Sequence, residues 1–480
     1  MWRARSSSLA QAGLRTAACA VAVGALFGCR APLPPPTAPL VAVPVAELPG
    51  PPPAPPLEVR VPEVQTATRA DGLTVYAVRS EGDAQVSLRW LVPAAGEDLD
   101  EDPLLGRVAG AALAAEVRAR AGLLPGQVWS RQAPQALELG VDVPAAQGPR
   151  AVAALVAALE AGPSPAAVAA GRAEVLRTLR GEDGAEVLPG ALRHLQALRY
   201  GPSHRLGEAP EDKAARLSDV TPAAVRAHVA ARIRAAGATL VVAARDPAPL
   251  LAGLPTRLAL APPPALARPL GPAPPPARMP VRVSLDSYYP LVALMFDAPP
   301  AAGRDAEVFE VVNLALGDGL ESLLFRAVRT ESGASYAVGS EYRPRVRDGA
   351  LLIVANTSTE AVREVVTAVR ATVTRVAQEG LQEEEIRRGV ARLLVAAAAA
   401  RATASGAAAW VVEERLRGRS PGGAAARLAR LRSLDAAEVR AVLARTVDPA
   451  RVVAVIAFSR FSLVDGVGLG DVKEAPLRHL

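Results

Sequence analysis

The chain has 480 residues, half of them hydrophobic and 21% charged. That length supports two to four domains with substantial cores and excludes disorder throughout. Two cysteines, Cys19 and Cys29, exclude a disulfide scaffold, and Arg, Asp and Glu recurring through the later sequence argue against a polytopic membrane protein. The formal charge of +6 comes from arginines dispersed among acids; Lys213 and Lys473 are the only lysines. With no block of like charge and 3% aromatics to stack on bases, no nucleic-acid partner is expected.

Residues 1–29 read as an export signal. Arg3, Arg5 and Arg15 form a positive start, and Ala17–Phe27 is an apolar run too short to span a bilayer. Leu26-Phe27-Gly28-Cys29 resembles a bacterial lipobox, which implies lipidation of Cys29 and removal of Cys19 with the signal. The plainer alternative is an ordinary signal peptide with an incidental cysteine. Residues 30–62 are Pro-rich and low in charge, as expected for an extended tether. The expected location is the bacterial cell envelope, on the outer membrane or periplasmic face, with membrane contact through the lipid.

A second Pro-rich stretch, 255–280, separates residues 63–254 from 281–461, with a tail at 462–480. Each piece is of domain size. In the first, strands are expected at 72–78, 84–92, 136–143 and 238–244, from alternation and turn signals. Helices are expected at 104–121, 149–161 and 165–180, and another begins at Thr221-Pro222, a capping residue before a first-turn proline. In the second, strands are expected at 291–296, 336–342, 350–355 and 451–458. Helices are expected at 306–316, from Ser358-Thr359 to Gln378, from about Gln382, and at 434–447. The expected fold is α+β: two homologous halves, each a mainly antiparallel sheet packed with helices, joined by the Pro-rich linker.

Three segments carry a family resemblance. Leu316-Gly317-Asp318-Gly319-Leu320-Glu321-Ser322-Leu323-Leu324-Phe325-Arg326-Ala327-Val328-Arg329-Thr330-Glu331-Ser332-Gly333-Ala334-Ser335-Tyr336 is similar to a Gly-rich loop, a helix ending in Leu-Arg-Glu, and Gly-Leu-Ala-Tyr. Leu381-Gln382-Glu383-Glu384-Glu385-Ile386 resembles a later helix start. Tyr200-Gly201-Pro202-Ser203-His204-Arg205-Leu206-Gly207 resembles an aromatic-Pro-Tyr-Gly segment. The family is the pitrilysin/insulinase zinc metallopeptidases, in their mitochondrial-processing-peptidase-like branch. The resemblance spans about residues 63–460.

That resemblance implies a zinc held by H-x-x-E-H on the first helix, a glutamate general base, and a downstream glutamate as third ligand. Here the helix reads Leu104-Leu105-Gly106-Arg107-Val108-Ala109-Gly110-Ala111-Ala112-Leu113-Ala114, without histidine, and its one glutamate, Glu116, comes later. Thr178 stands where the downstream glutamate belongs. His194, His204, His228 and His479 do not restore the set. No catalytic residue, metal ligand or cofactor is therefore expected in this chain, and no serine or cysteine triad is readable.

Arg329 and Tyr336 keep the seven-residue spacing at which family members contact substrate near the zinc. Arg329 is suited to a peptide carbonyl or carboxylate, and Tyr336 to a developing oxyanion. The structural alternative is a helix-end arginine and a packed tyrosine. Gly317 and Gly319 read as a peptide-contacting loop or as a tight bend. The expectation is an inactive homologue that serves as the non-zinc subunit of a two-subunit peptidase. Its partner would be a zinc-bearing homologue, with a homodimer as the other arrangement, and its ligand a peptide. The alternative is a peptide-binding or scaffold lipoprotein of the envelope.

Overall fold

The computed structural model describes residues 60–82, 84–180, 187–202, 204–268, 281–286, 289–458 and 472–474. The signal segment, Cys29, nearly all of the tether, linker residues 269–280 and most of the tail lie outside them.

The first half contains β1 (Glu63–Thr68), β2 (Thr74–Arg79), β3 (Gln85–Val92), α1 (Pro103–Ala121), β4 (Val128–Gln132), β5 (Leu137–Pro144), α2 (Gly148–Ala161), α3 (Pro165–Arg180), α4 (Val187–Tyr200), α5 (Pro210–Arg216), α6 (Pro222–His228) and β6 (Thr239–Ala244). A short helix, α7 (Ala248–Ala252), leads into the linker. The second half contains β7 (Val281–Asp286), β8 (Leu291–Ala298), α8 (Arg304–Gly317), α9 (Leu323–Phe325), β9 (Ser335–Pro344), β10 (Gly349–Thr357), α10 (Val362–Glu379), α11 (Glu383–Ala399), α12 (Ala404–Leu416), α13 (Ala424–Arg432), α14 (Ala436–Thr446), β11 (Val453–Phe458) and β12 (Val472–Glu474).

The sheet orders are β1-β2-β6-β3-β5-β4 and β12-β7-β11-β8-β10-β9. Omitting β1 and β12, the second order repeats the first strand for strand. Most pairs are antiparallel; β2 with β6, β7 with β11 and β7 with β12 are parallel. One face of each sheet packs on its own helices: Leu88, Trp90 and Val141 with Val108 and Leu113 in the first half, and Leu294, Phe296 and Ile353 with Phe309 and Val366 in the second.

The opposite faces are covered by exchange. Ala191 and Leu195 of α4 pack on Ala293, Met295 and Val455 of the second sheet, and Ala407, Val411 and Val412 of α12 pack on Tyr76, Leu91 and Val241 of the first. Each half thus lends the other a helix. Separating them would expose two apolar faces, at roughly 1.5–3 kcal/mol per buried aliphatic side chain. The linker adds ties to the first half: Leu258 N–H donates to Asp71 at 2.8 Å, Ala261 N–H to Arg234 O at 2.9 Å, and Ala267 N–H to Leu99 O at 2.9 Å.

Thr221 caps α6, its hydroxyl accepting from Ala224 N–H at 3.2 Å, as the Thr-Pro pair predicts. Gln382 begins α11 in a reciprocal capping box with Glu385. Ser358 and Thr359 do not cap α10. The helix starts later, at Val362, because the turn closed by Ala361 N–H on Ser358 O intervenes.

Candidate functional site

Helix α1 is the helix on which the resemblance placed the expected metal ligands. Asp102 caps it, accepting from Leu105 N–H at 3.1 Å. Its middle, Val108 through Ala114, is buried throughout. Helix α3 crosses here: a Cβ added to Gly171 would lie 2.6 Å from Ala112 N and 3.0 Å from Ala112 Cα. Backbone therefore meets backbone at the crossing. Thr178 is exposed on α3, and its hydroxyl donates to Glu174 O at 3.0 Å within its own helix. Among the described residues no three His, Cys, Asp or Glu side chains converge on a point where a metal would fit. Alanine, glycine and valine supply no ligands, so this helix pair does not suit zinc.

His228 is buried at the end of α6, with Nε2 3.1 Å from the fully buried Asp100 Oδ2 and close to Gly106; it packs beneath the start of α1. His204 stacks on Tyr200, ring centres 4.8 Å apart, and its Nδ1 accepts from Leu206 N–H. Burial lowers its pKa.

The second-half residues lie along the edge strand β9, Gly317 against its middle and Tyr336 near its start. Gly317 closes α8; a Cβ there would lie 2.3 Å from Ser340 N, so glycine lets the helix end touch β9. Gly319 has φ +81° and faces the Arg392 guanidinium, which holds Asp318 at 2.7 Å. Glu321 lies 3.6 Å from Arg388, so two ion pairs fasten this loop to α11. Arg329 stands in a wide turn, Arg326–Glu331, and donates to Tyr336 O at 3.0 Å. Its guanidinium is 5.1 Å from the Phe325 ring and 5.9 Å from the Tyr336 ring, a cation between two aromatic faces. Tyr336 is 85% exposed. The packed-tyrosine alternative is therefore excluded, while Arg329 does meet a main-chain carbonyl. Its contact with Phe325 is an i,i+4 pair, a spacing readable in the sequence that the family pattern alone did not point to.

A cleft of about 620 Å³ lies on the seam between the halves, lined by Glu97, Arg131, Gln132 and Gln135 on one side and by Glu341, Arg343 and Arg345 on the other. The seam is polar and buried. Arg345 pairs with Asp98 and, at 3.0 Å, with Glu97. Arg199 reaches Asp297 at 2.5 Å and Gly349 O at 2.9 Å. Tyr200 donates to Asp348 at 2.6 Å, and burial together with the Asp348 charge raises its pKa, keeping the hydroxyl protonated as a donor.

Residues 219–393 match the family profile described as the Peptidase M16 inactive domain. Among solved structures, the chain is similar to a peptidase M16 inactive domain from Pseudomonas fluorescens, with a TM-score of 0.67, 18% identity, and 82% of this chain and 98% of that one covered. A putative M16-like peptidase from Alicyclobacillus acidocaldarius gives a TM-score of 0.68 at 14% identity, covering 84% and 99%. The first half of the periplasmic protease PqqL from Escherichia coli gives 0.61 at 14%, covering 84% and 93%. At these identities the structures establish the fold. None of the curated proteins matches the chain.

Proposed function

Because the chain is a pitrilysin-type M16 peptidase homologue without the H-x-x-E-H motif, we propose that it acts as the non-zinc subunit of a two-subunit envelope peptidase. In this reading zinc belongs to the partner, a homologue carrying that motif, and this chain supplies Arg329, Tyr336 and the Gly317–Gly319 loop to a shared peptide chamber. Cys29 is its lipid anchor. One contrast carries the reading: α1 carries no histidine and its one glutamate, Glu116, is taken up by Arg120 and Ser164 N–H, whereas Arg329 is held between two rings beside an exposed tyrosine. A tyrosine exposed to that degree, next to an oriented guanidinium, is suited to a charge-assisted contact with a peptide group supplied from outside the chain. PqqL, whose first half alone covers 84% of this chain, is by description a larger periplasmic protease, which agrees with a paired arrangement.

Co-expression with a homologue that carries H-x-x-E-H, followed by a peptide-cleavage assay, tests this. Cleavage is expected only with both chains present, and Arg329→Ala lowers kcat/KM roughly 10²-fold. A partner fully active alone, and indifferent to Arg329→Ala in this chain, overturns the proposal.

A further inference from the structure

The edges of the two sheets are not equally protected. An unpaired edge offers a row of N–H and C=O groups to any other strand, and folded proteins block such edges. β4 has five residues, and the carbonyl of Val128 at its start accepts from Arg118 at 3.1 Å. On β9 the carbonyls of Tyr336 and Pro344 accept from Arg329 at 3.0 Å and from Gln135 at 2.8 Å. β12 has three residues. β1 has six, Glu-Val-Gln-Thr-Ala-Thr, all exposed except half-buried Val64, with no proline, glycine or lysine among them.

The alternation of hydrogen bonds fixes which groups of β1 are open. In β2, Thr74 N–H donates to Ala238 O and, just beyond the strand, Ser80 N–H donates to Ala244 O, so the even-numbered residues face β6. The odd-numbered residues face β1, where the register sets Val75, Ala77 and Arg79 opposite Ala67, Gln65 and Glu63. Arg69 N–H, donating to Leu73 O at 2.9 Å, continues the same alternation. Val64, Thr66 and Thr68 therefore turn their N–H and C=O groups outward. None of these groups has a partner among the described residues.

We propose that β1 is the contact edge of a homodimer, in which two copies pair antiparallel with Thr66 on the two-fold axis. In that register Val64 lies opposite Thr68 of the second copy, and every open N–H and C=O finds a partner. It also sets Glu63 directly opposite Arg69 of the second copy, once at each end of the pair. Glu63 is exposed and makes no ion pair among the described residues, while Arg69 is oriented by Asp71 at 2.7 Å. The charges of the edge thus complement those of its own copy. Registers displaced by two residues lose bonds. One sets Pro62, which has no N–H, opposite Thr68, and the other runs into the turn where Gly72 N–H donates to Arg69 O. The edge is separate from Arg329 and Tyr336, so the dimer does not depend on the peptidase reading.

Sedimentation of the full chain in detergent tests this. A reversible dimer is expected, since one strand pair is small for a permanent interface. Thr66→Pro removes an outward N–H and leaves the bonds to β2 intact, a position where an edge strand tolerates proline. It is expected to weaken the dimer about tenfold or more with an unchanged melting temperature. Glu63→Gln weakens it about threefold. The register is read by oxidation, in a chain with Cys19 and Cys29 replaced by serine, and this readout does not depend on how the proline variant folds. Thr66→Cys brings two thiols together on the axis, with Cα atoms about 5.5 Å apart and within disulfide range. Thr68→Cys places them at opposite ends of the pair. A disulfide-linked dimer is expected from the first and none from the second. A monomer at about 100 μM, a Thr66→Pro chain that dimerises as wild type, or Thr68→Cys trapping as readily as Thr66→Cys overturns the proposal.

Discussion

Two helix crossings, one in each half, repeat the same geometry. In the first, the seventh residue of α3, Gly171, lies against Ala112 of α1; in the second, the seventh residue of α11, Gly389, lies against Val311 of α8, where an added Cβ would sit 2.6 Å from Val311 O. The surroundings differ. Beside Val311, Glu310 is buried and gathers Arg417 at 2.7 Å, Arg419 at 2.6 Å and Arg427 at 3.5 Å. The matching stretch of α1, Ala109 to Ala112, is apolar. The first half's crossing thus has apolar side chains where the second half's has a buried carboxylate. Its helices close to backbone contact, as the second half's do, and the first half shares that half's structural part.

The largest expected effect concerns how the halves depend on each other. Leu195 of α4 is fully buried against the sheet of the opposite half. Leu195→Ala is expected to cost about 2–5 kcal/mol by leaving a cavity in the seam, with both halves unfolding in one transition by calorimetry. Two separate transitions, with the second half unaffected, would break the picture of reciprocal support.

A matched pair sharpens the crossing comparison. Gly171→Ala and Gly389→Ala each force a methyl into backbone within 2.6 Å, and each is expected to lower stability by roughly 1–3 kcal/mol in urea unfolding. If Gly171→Ala is neutral while Gly389→Ala is costly, the crossings are not equivalent and the first half retains slack between α1 and α3.

Much of this was legible in the sequence, for local reasons. Alternation marked β5, the Thr221-Pro222 pair marked the start of α6, and the empty α1 motif was readable residue by residue. The seven-residue spacing brought Arg329 to Tyr336, and the structure joins them by a hydrogen bond. The exchange of α4 and α12 was not legible. An apolar helix face shows that a partner exists but not which sheet it is, and Leu195 and Val411 read like any core residues. The short edge strand β4 was missed as well. Val128, Trp129, Ser130, Arg131 and Gln132 alternate weakly, and Arg131 is held by Glu138 across the sheet and approached by Glu413 of α12, contacts that only the tertiary structure supplies.

The smallest expected effect separates packing from polarity at the seam. Tyr200 closes α4 next to Arg199, and its hydroxyl gives Asp348 a 2.6 Å bond while Arg199 stands 3.5 Å from the same carboxylate. Tyr200→Phe keeps the ring and its stacking with His204 but removes the donor. Asp348 retains Arg199, so the loss is that of one hydrogen bond to a charged acceptor partly compensated by its neighbour, about 1 kcal/mol. Urea unfolding of both proteins at neutral pH measures this. A deficit well above 2 kcal/mol would mean that the polar seam rather than the exchanged helices sets the join between the halves.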